Sequence, residues 1–143
     1  MSGYEDDILT WSEQQAALLR RLGAGERIND TDLDWLNLAE EIEGLGRSEI
    51  RATESLIIQA LAHRMKAEAW PDAKLPVARW LLDAQLFRAE ARRAYVPSMR
   101  QRIDMEALYK RALRWLPPMV EGQPPLPLPT KCPVTLEELL QEE

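Results

Sequence analysis

Apolar residues return every three or four positions along most of this 143-residue chain, the spacing of α-helices that bury one flank. No stretch alternates apolar with polar as a half-buried strand would, so the expected fold is all-α, a bundle of about four main helices. The first helix is expected over 6–22, with Ile8, Trp11, Leu18, Leu19 and Leu22 inward and Gln15 at the stripe's margin. Asp6 and Asp7 suit its positive end, Arg20 and Arg21 its negative end, and Gly23 a left-handed stop. Thr31 then reads as the cap of a second helix over 32–69, in which Trp35, Leu38, Ile42 and Leu45 set a rhythm that resumes through Leu56 and Ala60. Gly44 and Gly46 lie inside it, each costing about 1 kcal/mol relative to alanine. Because the stripe keeps its phase across them, a continuous helix crossed closely by another element is expected.

A third helix over 77–95 carries Val77, Trp80, Ala84, Phe87 and Ala91 on one side and basic residues on the other. Ser98 and Gln101 form a capping pattern ahead of a fourth helix over 104–116, with Leu108, Ala112 and Trp115 inward. Seven prolines between Pro117 and Pro133 predict an extended strap, 117–134, packed over the bundle. Thr135 and Glu138 form another capping box, opening a short last helix over 135–141 that Leu136, Leu139 and Leu140 dock. Length and pattern together imply one domain over 1–143, with the five tryptophans supplying much of its core.

Charge refines this picture. The net charge is −6, but residues 1–50 hold 12 acidic and 4 basic side chains while 51–116 hold 7 and 13. Internal pairing of complementary regions, with solubility, explains that asymmetry more simply than a dedicated partner surface does. The single cysteine, Cys132, has no partner in the chain and fits a reducing compartment. No apolar run approaches the roughly 20 residues that cross a bilayer, and the acidic opening Tyr4-Glu5-Asp6-Asp7 is unlike a secretion signal. The expectation is a cytoplasmic chain with no membrane contact.

The second helix also carries a recognisable run, Leu33-Asp34-Trp35-Leu36-Asn37-Leu38-Ala39-Glu40-Glu41-Ile42-Glu43-Gly44-Leu45-Gly46-Arg47-Ser48-Glu49. It closely resembles the core motif of a bacterial family known as domain of unknown function 29. Tyr4 to Asp7 with Trp11, His63 with Lys66, and Cys132-Pro133 with Thr135-Leu136 resemble further parts of that family in the same order. Arg64 and Met65 replace its usual pair of leucines, and Trp70 sits later than its common tryptophan. The resemblance implies an α-helical bacterial cytoplasmic domain and brings no established activity.

Few residues offer chemistry. His63 is the only histidine, and Lys66 and Glu41 are the other catalytic candidates; a packing or capping role is the favoured reading of His63. Glu40, Glu41 and Glu43 are the densest carboxylate cluster, and Glu40 and Glu43 with His63 are the metal candidates. Along a continuous helix His63 lies about 30 Å from that cluster, and the Glu-x-x-His pattern of di-iron bundles is missing, so no metal or cofactor is expected. Arg88, Arg92, Arg93 and Arg100 form a basic patch that points to an interaction surface. The resulting expectation is a small non-catalytic interaction or regulatory module with a protein partner or a second copy of itself. Its rivals are a metal-binding or hydrolytic enzyme built on the Glu40/Glu41/Glu43 cluster with His63, and a nucleic-acid-associated protein using the arginines of 88–102.

Overall fold

A computed structural model describes residues 3–141. Its regular elements are helices: α1 (Ile8–Gly23), α2 (Trp35–Ala69), α3 (Lys74–Ala94), α4 (Met105–Arg114) and the short α5 (Leu136–Leu140), with single 3-10 turns at Asp30–Asp32 and Pro97–Met99. Among the described residues there is no strand, only a bridge between Val120 and Gln123. No helix among them is long and apolar enough to cross a membrane. The described chain divides into two compact units, one ending at Arg47 and the other beginning at Ser48.

In the first unit, Asp7 caps α1 by accepting from the Thr10 backbone N–H at 3.1 Å. The helix ends in a Schellman arrangement, with Glu26 N–H donating to Arg21 and Gly25 N–H to Leu22. The left-handed residue there is Gly25, at φ +87°, and not Gly23, which stays helical. Helix α2 begins at Trp35 with Asp34 as its cap; Thr31 belongs to the preceding 3-10 turn and bonds Asn29 instead. Among the described residues of this unit only Trp11, Gln15 and Leu33 are buried, so Gln15 lies within the stripe it was expected to border. Ile8, Leu19, Trp35, Ile42 and Leu45, all expected inward, are exposed. Helix α2 does continue across Gly44 and Gly46. The close crossing expected there is not found: nothing lies within 4 Å of a Cβ built at Gly46, and at Gly44 only the Arg47 side chain does.

The second unit has an apolar core. Ile57, Ile58, Leu61, Ala62 and Met65 of α2 pack with Ala91 of α3, Leu108, Tyr109 and Ala112 of α4, and Leu136 and Leu139 of α5. A satellite cluster of Ala69, Trp70 and Ala73 receives Val77 and Trp80. Of the five tryptophans only Trp11 and Trp70 are buried, and Trp35 and Trp115 are largely exposed. Helix α3 starts at Lys74, three residues earlier than expected, because Pro76 fits a first turn in which no N–H partner is required. Ser98 makes no cap; α4 is capped by Asp104, which accepts from Ala107 N–H at 3.2 Å. Thr135 caps α5 as its sequence implies.

The proline-rich segment is held at several points along its length. Leu126 N–H donates to the Ala69 carbonyl, the Trp70 indole to that of Gln123, and the Tyr109 hydroxyl to that of Pro129 at 2.6 Å. Glu106 accepts from the Cys132 N–H. A tight turn at Glu121 and Gly122, both at positive φ, lets Val120 and Gln123 exchange backbone hydrogen bonds.

Candidate functional site

The motif run resolves into a polar knot inside the first unit. The Asp34 carboxylate accepts from the Trp11 indole at 3.0 Å and from the Asn37 amide at 2.8 Å. Buried Gln15 completes it at both ends, accepting from Asp34 N–H at 2.8 Å and donating to the Asp32 carbonyl at 3.2 Å. Hydrogen bonds from Asn37 and Trp11 hold the Asp34 carboxyl below its ordinary range, against the opposing effect of burial. The Tyr4 hydroxyl donates to Glu41 while its ring meets Trp11 edge-on, and that bond raises the phenol's pKa. Glu41 is thus a hydrogen-bond acceptor. Glu40 and Glu43 face Arg47 at 3.0 and 3.8 Å on an exposed flank. The bonds of Trp11 and Gln15 fasten α1 to the start of α2, whereas the Arg47 pairs lie within α2.

In the second unit, His63 Nδ1 lies 2.8 Å from the Gln59 carbonyl oxygen one turn back, so this nitrogen carries the proton. Its Nε2 is 3.9 Å from Asp83 of α3, and its ring lies 5.4 Å from that of Phe87. Arg79, rather than Lys66, joins this group by pairing with Asp83 at 3.2 Å. Among the described residues no three His, Cys, Asp or Glu side chains gather in a way that could hold a metal ion. A cleft of about 550 Å³ opens nearby between α2, α3 and the C-terminal segment, floored by Leu61, Ala84 and Leu139. Its charges already have partners: Arg64 pairs with Glu68, and Arg88 bonds backbone carbonyls.

Two arginines of the basic patch are occupied in the same way. Arg88 donates to the carbonyls of Glu138, Leu139 and Gln141, and Arg92 to that of Gln141 at 3.0 Å, satisfying the open end of α5. Arg100 pairs with Glu137 at 2.8 Å, and Arg93 is exposed. Burial raises the Cys132 thiol's pKa, the reverse of what a reactive thiolate needs.

Residues 3–143 match the family described as Domain of unknown function DUF29. The chain belongs to the DUF29 family. An α-helical protein of unknown function from Rhodospirillum rubrum is similar to it at 30% identity, over 100% of this chain and 92% of that one, with a TM-score of 0.66. No curated protein matches. The run from Leu33 to Glu49 that resembles the DUF29 core motif therefore contains the Asp34, Asn37 and Glu41 partners of the knot, and it is built here as an internal clasp. Sequence reasoning placed Gln15 at a margin because a polar residue breaks an apolar stripe; its burial depends on partners 17 and 19 residues away. It also took the outer side of α3 as basic and passed over Leu75, Leu82 and Leu86, which stand on that side at spacings of seven and four.

Proposed function

We propose that this chain is a non-catalytic helical interaction module that presents apolar helix faces to a protein partner. The observation that carries the reading is the number of large apolar side chains left exposed on α2 and α3, Trp35, Ile42, Leu45, Leu75, Leu82 and Leu86 among them, more than scattered surface leucines require. The engagement of Glu41, Arg88, Arg92 and Arg100 in structural bonds supports it further, since those groups were among the alternatives for chemistry or nucleic-acid contact. The proposal includes a bacterial cytoplasmic setting, supported by the Rhodospirillum relative and the unpaired Cys132.

The test uses the tagged full chain as bait against a lysate of its own organism supplemented with untagged chain. Wild type is compared with Leu82→Glu/Leu86→Glu and with Ile42→Glu, all checked for unchanged helicity. A protein retained by wild type and lost from the face variants is the expected result. Identical capture by all three would overturn the proposal.

A further inference from the structure

Helix α3 is apolar on two opposite sides. Ala84 and Ala91 are buried, while Leu75, Leu82 and Leu86 form a second row about half a turn around, 85%, 51% and 54% exposed. Three large apolar side chains aligned on one exposed flank of a helix are a candidate contact surface. The first unit offers a matching face: Trp35 and Ile42, 55% and 66% exposed, lie seven residues apart on α2 with Ala39, Leu45 and Gly46 beside them. Gly46 leaves open space at the centre of that face.

Charge selects how such faces pair. Residues 3–47 carry eleven acidic and four basic side chains, a net −7, with Glu43 next to Ile42 in the chain. Residues 74–114, spanning α3 and α4, carry ten basic and four acidic, a net +6, with Arg79 and Arg93 flanking the leucine row. Two first units brought face to face would repel, and so would two α3 surfaces. The first unit of one copy against α3 of another is attractive, and a two-fold axis makes that contact occur twice and closes the assembly.

Resting on the interaction reading above, we propose that the partner is a second copy of this chain, in a reciprocal dimer. In it the Trp35–Ile42–Leu45 face of each copy covers the Leu75–Leu82–Leu86 row of the other. The pairing is a two-part recognition, apolar at its centre and ionic at its rim.

Light scattering of the full chain across a concentration series reads the assembly directly. Wild type should have the mass of two chains, with affinity falling as NaCl rises from about 0.1 to 1 M. Ile42→Glu and Leu82→Glu, both at exposed positions that leave folding intact by circular dichroism, should each weaken association about 30-fold or more. Mixing the two variants should restore part of it, because one of the two contacts in the mixed pair is then wild type on both sides. A dimer broken by only one of the substitutions, or no recovery on mixing, overturns the reciprocal arrangement. A wild-type monomer at every concentration overturns the second copy as partner; the broader interaction reading then stands or falls on the capture experiment with the same variants.

Discussion

The two units are stabilised by opposite means. The second buries a continuous set of apolar side chains from four helices, whereas the first buries Trp11, Leu33 and a glutamine and depends on directional polar bonds around Asp34. Apolar burial is tolerant of angle and indifferent to pH. A polar knot is neither, since each member left without its partner incurs the full desolvation cost of a half-buried group. The comparison therefore makes the second unit the source of most stability and the first the place where stability responds to conditions.

Leu108→Ala attacks the apolar side of this contrast and should have the largest effect. The side chain is 2% exposed in the middle of the second unit's core. Truncation removes its transfer free energy and leaves a cavity, for a loss of about 2–5 kcal/mol in urea unfolding. Gln15→Leu attacks the polar side. The new residue is apolar and nearly the same size, so a purely hydrophobic unit would tolerate it. Here it strands the Asp34 N–H and the Asp32 carbonyl, and the expected loss is about 1–3 kcal/mol, seen as faster amide exchange confined to residues before Arg47. Faster exchange spread evenly over both units would break the distinction.

Arg88→Ala probes a polar element that the second unit does contain. Its guanidinium serves three carbonyls at the end of α5, a charge-assisted arrangement worth about 1.5–3 kcal/mol. The C-terminal segment should lose exchange protection while the α2 and α4 core keeps its own.

Acid should separate the units without any mutation. Asp7 and Asp34, both in the first unit, have carboxyls held below the ordinary 3.8, by the Thr10 backbone N–H and by Asn37 respectively. The folded state thus favours their charged forms. That contribution is complete above 3.8 and is lost as pH falls through the depressed folded-state values. Lowering pH from neutrality toward 3 should raise amide exchange around Asp34 before it touches Ile57 or Leu108, and Asp34→Asn should flatten the response.

The same contrast explains what could be read from the chain in advance. Helices, their continuity across Gly44 and Gly46, and the docking of Leu136 and Leu139 follow from periodicity and caps, which are local. Apolar rows alone do not say which flank is covered. Ile42 and Leu56 belong to one rhythm, yet Ile42 is exposed and Leu56 packs on the core, because the covering elements come from distant sequence. The polar knot was illegible for a related reason: Gln15 and Asp34 become partners only once the turn between α1 and α2 has brought them together. His63 illustrates the reverse, since its bond to Gln59 lies one helical turn away and its packing role could be favoured from sequence.

The smallest effect sharpens the comparison at its edge. Arg100 and Glu137 make a short ion pair, at 2.8 Å, but both side chains are more than half exposed. Water screens such a pair, and ordering two long side chains offsets much of its Coulomb gain, so Arg100→Ala should change stability by less than about 1 kcal/mol. Its effect should also shrink further between about 0.1 and 1 M salt, where the screening length drops from about 10 to 3 Å. Arg88 lies on the same basic surface and ties down the same C-terminal segment, but its single guanidinium donates to three backbone carbonyls at the end of α5. A loss at Arg100 as large as that at Arg88 would mean that charge, and not the capping of α5, holds the segment down.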